Sequence, residues 1–194
     1  MSRPSDAKSR LIRVGAALFR QRGYDGVGLT EILEASGAPK GSFYHHFPEG
    51  KEQLAEACIR YAGGMTANAI DQIMDAAPNF ESGVKAILME LATALERSGF
   101  REACPVSAIA YAAAPTSQPL TQAVNWALDE WRGRIVAHAK RLDTPFSEAQ
   151  AERLLVEMEG AWLIGRFRQS VAPFAALARD WSSGNQAATF RDQP

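Results

Sequence analysis

The side chains best suited to hold a polyanion crowd into one short stretch, Lys40-Gly-Ser-Phe-Tyr-His-His-Phe47. Lys40, Ser42, Tyr44, His45 and His46 all carry hydrogen-bonding groups of the kind that meet phosphate oxygens and base edges. Phe43 and Phe47 stand four residues apart and supply an apolar edge that can dock on a core while the polar residues face outward. Gly41 leaves the backbone bare, so a phosphate or base can approach closely. Thr30 is expected at the N-cap of the preceding helix, with its hydroxyl beside the positive end of the helix dipole. Lys51 opens the helix that follows. This chemistry is recognition of charge and shape.

Other candidate chemistry is thin. Adjacent His45 and His46 point about 100° apart on a helix and have no third ligand nearby, so no metal is expected. His138 shares a face with Trp131 and Ile135, which suits a satisfied core or pocket-wall histidine better than a catalytic one. None of the three histidines pairs with a Ser or Cys nucleophile and an acid, and no cofactor is implied. Glu157 and Glu159 do not share a helix face. Cys58 and Cys104 are too few and too far apart for a disulfide framework, and read as small buried hydrophobes in the reducing cytoplasm.

The elements that must position these residues are all helical. Apolar residues recur at helical spacing, without the alternation of a strand, and the expected fold class is all-α. A first helix is predicted over residues 5–22, ended by Gly23, and a short second from Thr30 to Gly37. Pro39 should open a third that ends near Pro48-Glu49-Gly50, making a helix-turn-helix. A long helix from Lys51 carries Leu54, Cys58, Tyr61, Met65, Ala69 and Ile73 in one stripe. Further helices are predicted from Asn79-Phe80, after Cys104-Pro105, from about Ser117, from Ser147 and from about Pro173. The resulting organisation is a helix-turn-helix domain over residues 1–50, a helical body over 51–185, and a loose tail over 186–194.

Charge follows the same division. The 194 residues sum to only −1, but residues 1–51 hold eight basic and five acidic side chains, +3, and residues 52–194 hold 13 and 17, −4. A basic head on an acidic body points to two jobs in one chain. No run of about 18 apolar residues is present and the N-terminus lacks the pattern of a secretory signal, so a cytoplasmic protein with no membrane partner is expected.

Thr30, Gly37, the Lys40-Gly41-Ser42-Phe43-Tyr44 run, and Phe47 followed by Lys51-Glu52 and Leu54 resemble the DNA-binding signature of the TetR family of bacterial transcriptional regulators. The resemblance is specific over about residues 8–60. One extra residue between Phe47 and the Lys-Glu pair, with Cys104-Pro105-Val106 downstream, is similar to the LmrA/YxaF-type branch. Pro39 departs from the pattern, standing where many relatives carry a capping Ser. The resemblance implies a homodimer whose N-terminal domains enter successive major grooves of double-stranded operator DNA, with a C-terminal domain that binds an effector. By position, Lys40, Gly41, Ser42, Tyr44 and His45 then face DNA, with Thr30 and Lys51 on phosphates and His46 packed against its own domain.

The body residues carry weaker expectations. Met89, Tyr111, Trp131, His138 and Trp162 are candidates for a mostly apolar effector pocket, although a bundle core would use the same types. Gly160, Ala161 and Gly165 permit close helix approach and Phe174, Leu177 and Trp181 supply apolar area, so these six are candidates for the dimer interface. Gly63-Gly64, inside the long helix, is either a hinge coupling effector to DNA or a site of close packing. The function these readings favour is a repressor released from its operator by a small apolar or amphipathic effector. An activator on the same architecture, or a helical-bundle enzyme or carrier, are the alternatives.

Overall fold

The computed structural model describes residues 4–113 and 116–182. Among the described residues the chain is helical throughout: α1 (Pro4–Arg22), α2 (Leu29–Ser36), α3 (Lys40–His46), α4 (Lys51–Ala76), α5 (Phe80–Arg97), α6 (Ser107–Ala113), α7 (Gln118–Arg141), α8 (Glu148–Arg168) and α9 (Ala172–Ser182). None of these helices is long and apolar enough to cross a membrane. The tail expected over residues 186–194 lies outside the described residues.

Local signals set most boundaries. Asn79 caps α5, its side chain accepting from the Ser82 amide at 2.8 Å. Ser147 and Gln150 form a reciprocal capping box at the start of α8. Two expectations shift. α2 is capped by the Gly28 backbone and begins at Leu29, so Thr30 sits one residue inside the helix and its hydroxyl is not the cap. Pro39 is the N-cap of α3 rather than its first residue, in an extended conformation at ψ 143°.

Two compact units form. Of the described residues, the first comprises those within Met1–Ala69 and Arg101–Arg134, the second those within Ile70–Phe100 and Ile135–Pro194. In the first, α1 packs on α2, α3 and α6. Leu11, Phe19, Ile32, Phe43, Leu54 and Ile59 are fully buried there. In the second, α5, α8 and α9 pack on one another. Its core includes Phe80 and Trp181, which meet each other and the half-buried Phe146 in ring contact at 4.8–6.2 Å, with Trp162 edge-on to Phe174 at 6.1 Å.

The α4 stripe requires a correction. Leu54 and Cys58 are buried as expected, but Tyr61 and Met65 are exposed, and the buried line continues through Ala62, Ala67, Ile70 and Met74. The reason is Gly63. A Cβ there would lie 2.8 Å from the Ala127 Cβ and 3.2 Å from the Trp126 ring, and the Trp131 indole N–H donates to the Gly63 carbonyl at 2.9 Å. Small residues let α7 approach this face, which turns the larger side chains outward. α4 runs without interruption through Gly63-Gly64, so close packing accounts for Gly63, whereas Gly64 faces open space. Gly63→Ala should therefore cost roughly 1–3 kcal/mol through overpacking. Gly64→Ala should stabilise by roughly 0.5–1 kcal/mol, since it only removes glycine's entropy penalty. Urea unfolding of the two variants checks this; equal effects would overturn the packing account.

Cys58 behaves as an inert hydrophobe. Its Sγ lies 3.4 Å from the Ile12 carbonyl, and burial pushes its thiol pKa up, away from the reactive thiolate. Iodoacetamide at neutral pH should leave Cys58 unmodified in the native chain and label it in urea, as read by mass spectrometry. Rapid native labelling would contradict the burial.

Candidate nucleic-acid interface

The turn between α2 and α3 is built by Gly37. Its φ of 62° is left-handed, a conformation that costs side-chain-bearing residues energy, and a following Pro keeps α2 from continuing. The Gly37 amide donates to the Glu34 carbonyl and the Ala38 amide to the Leu33 carbonyl, both at 3.2 Å, which satisfies the end of α2. The chain re-enters a helix at Lys40, and the Phe43 amide closes the first turn on the Pro39 carbonyl at 3.1 Å.

α3 then divides into two faces. Phe43 and Phe47 point inward, 0% and 2% exposed, with their rings 5.6 Å apart. Lys40, Gly41, Tyr44 and His45 are exposed, and Ser42 and His46 half-buried. Tyr44 is 44% exposed despite its ring, which leans edge-on against Phe43 at 5.1 Å. An aromatic held out from the core by its neighbour is well placed to meet a partner. Thr30 is exposed in the first turn of α2, and Lys51 is half-buried at the start of α4. All seven residues expected to meet DNA thus belong to one compact unit.

Arg10, Arg20 and Arg22 of α1 are engaged elsewhere. Arg10 bonds Asp6 at 2.5 Å and the Ser36 carbonyl at 3.3 Å, tying α1 to the end of α2. Arg22 pairs with Glu31, and Arg20 with Glu102 at 3.1 Å. These contacts hold the head together. Among the described residues Lys40 has no such tie to α1, and Lys51 rests on an aromatic ring, its Nζ 4.1 Å from the centroid of Tyr24. Burial lowers the pKa of Lys51 and the Asp25 carboxylate opposes that.

The five effector candidates are divided between the two compact units. Tyr111 and Trp131 belong to one compact unit, and Met89, His138 and Trp162 to the other. Tyr111 and Met89 are exposed; the other three are buried. His138 is fully occupied by its own chain. Its Nε2 lies 2.9 Å from the Asp71 carboxylate, and its Nδ1 accepts from the Arg141 guanidinium at 3.0–3.3 Å. Arg141 also bonds the Met74 carbonyl at 2.9 Å, which fastens the end of α7 to α4 inside the second unit. Among the described residues, no group of three or more His, Cys, Asp or Glu is arranged to hold a metal ion.

Four of the six dimer candidates are committed inside the protomer. Ala161, Phe174 and Trp181 are buried, and a Cβ on Gly165 would strike the Ser170 carbonyl oxygen at 2.9 Å and Leu95 at 3.0 Å. Leu177 is half-buried. Only Gly160 faces open space. Around it, α8 exposes Val156, Leu163, Ile164 and Phe167, a surface the sequence reading missed. Its signal was present as apolar spacing of 0, 7, 8 and 11, a second stripe beside the core stripe of the same helix.

Residues 11–58 match the family model of the bacterial regulatory proteins of the tetR family. Residues 81–180 match the model of the C-terminal domain of LmrA/YxaF-like transcriptional regulators. The HTH-type transcriptional regulator LmrA of Bacillus subtilis is 35% identical over 147 residues, 76% of this chain and 77% of LmrA. The HTH-type transcriptional regulator YxaF of the same organism is 30% identical over 182 residues, 92% of this chain and 94% of YxaF. In fold, the crystal structure of the reduced form of Escherichia coli NemR superposes with a TM-score of 0.81 over 92% of this chain and 96% of that one, at 21% identity.

Proposed function

Because the chain belongs to the LmrA/YxaF-like branch of the TetR family of bacterial transcriptional regulators, we propose that it is a cytoplasmic repressor, not an enzyme, that grips operator DNA with α3 as a homodimer and is released by a small apolar or amphipathic effector. The observation that carries this reading is the two-sided α3. Phe43 and Phe47 fix it to the core while Lys40, Gly41, Tyr44 and His45 stand exposed on it, beside Ser42. Lys40, Ser42 and His45 are the base readers in this proposal. Thr30 and Lys51 hold phosphates, which set register and orientation without specifying sequence. Residues 1–50 bind DNA, and residues 51–185 bind effector and pair the protomers.

For pairing, α8 offers Val156, Gly160, Leu163, Ile164 and Phe167 as one exposed stripe, and the occupant we assign is the same stripe of a second copy. For the effector, the exposed apolar surface of Tyr61, Met65 and Tyr111 in the first unit supports an apolar ligand. An effector that prefers the conformation with misplaced heads lowers DNA affinity by that preference.

The test is binding to the duplex upstream of the chain's own gene, with a reporter on that promoter. Affinity should fall steeply with salt as counterions return to the phosphates. Lys40→Ala should lose roughly 1–3 kcal/mol of affinity for the operator and far less for a scrambled duplex. Deleting the gene should raise reporter output. Salt-independent binding, or a Lys40→Ala variant with full affinity, would sink the proposal.

A further inference from the structure

Tyr24 lies in the loop between α1 and α2, far in sequence from the polar face of α3, yet it reaches the start of α4. Its ring packs on Phe19 with centroids 5.7 Å apart, and Phe19 is fully buried. The Lys51 ammonium stands 4.1 Å from the centroid of the same ring. A buried anchor therefore holds the ring, and the ring holds the cation. The attraction is electrostatic, between the ammonium and the negative face of the π-system. Both side chains are half-buried.

The neighbours show why such a hold is useful. The Asp25 carboxylate acts on both the Lys51 ammonium and the Tyr24 phenol, and Glu52 acts on the phenol. A lysine left to itself has four rotatable bonds and an anion beside it. Collapsed onto Asp25, it would form a neutral pair with little left for a phosphate. Fixed on a ring, it keeps its full charge and has lost most of its rotamer freedom before DNA arrives. A ring suits this role better than a carboxylate, because it orients the cation without neutralising it.

We infer that Tyr24 is a positioning residue for DNA binding, whose ring holds the Lys51 ammonium ready for a backbone phosphate. The inference rests on the reading of Lys51 as a phosphate contact, and the experiment separates the two. The full chain is titrated against the duplex upstream of its own gene over a range of salt concentrations. Lys51→Ala should reduce the slope of log K against log salt by about one. Tyr24→Leu, apolar but without a π-face, should weaken binding about 2- to 5-fold at low salt and lower the slope in the same direction. Tyr24→Phe should restore both. In a Lys51→Ala background, Tyr24→Leu should change nothing further, which a merely structural ring would not satisfy. If Lys51→Ala lowers the slope but Tyr24→Leu leaves it unchanged, or weakens binding equally with and without Lys51, the inference is overturned and the phosphate reading stands. If Lys51→Ala leaves the slope unchanged, both are overturned.

Discussion

Phe167→Asp, placed at the C-terminal end of the exposed α8 stripe, should yield a folded protomer that no longer pairs. Phe167 is 78% exposed and Val156 65%, values that large apolar side chains seldom reach unless something covers them. Leu163 and Ile164 extend the patch, and Gly160 offers a flat place for a second helix to approach. A carboxylate in such an interface must be desolvated without a partner, which costs several kcal/mol per ion, twice in a symmetric dimer. Because the side chain touches little of its own protomer, the melting of the isolated unit should hardly change. Sedimentation equilibrium should show the monomer mass at concentrations where the parent is a dimer. Operator affinity should fall by roughly 10²–10⁴-fold, the advantage lost when two half-sites are no longer read by linked heads. A variant that remains dimeric would remove α8 from the interface.

That stripe also marks where sequence reading reaches its limit. α8 is apolar on more than one face: Leu154, Leu155 and Trp162 serve its own core, and Val156, Leu163, Ile164 and Phe167 stand outside it. Periodicity identifies a helix and its apolar residues, but one chain's pattern does not say which apolar face is covered by the same chain and which by another copy. Of the expected dimer residues, Ala161, Gly165, Phe174 and Trp181 lie on the core face and Gly160 on the outer one. The same limit explains α4, where Tyr61 and Met65 matched the period yet lost the inner position to Ala62 and Gly63, because close approach of α7 favours small residues there. The head was far more legible. Gly37, Phe43 and Phe47 each act through local backbone geometry or a contact a few residues away, so their roles follow from spacing alone. Tyr24 on Lys51 joins residues from different elements, and no local rule announces it.

Phe43→Ala should abolish operator binding while leaving the second unit intact. The side chain is fully buried and touches the rings of both Tyr44 and Phe47. Truncating a buried Phe to Ala costs roughly 3–5 kcal/mol, from lost transfer energy and the cavity left behind. α3 is seven residues long and, with Phe47, has only these two apolar anchors on that face, so it cannot redistribute the loss along its length. A helix this short is unstable in water without tertiary packing. Loosening it removes the fixed geometry of Lys40, Ser42, Tyr44 and His45 together, an effect larger than deleting any one of those contacts. Phe43→Leu, which keeps most of the volume, should retain binding with a loss below about 1.5 kcal/mol. Amide exchange should show fast exchange confined to the head in Phe43→Ala, and sedimentation should show the dimer preserved, since the α8 stripe belongs to the other unit. Full operator affinity in Phe43→Ala would mean that α3 is not held by its core face, and the recognition surface would have to be sought on another helix.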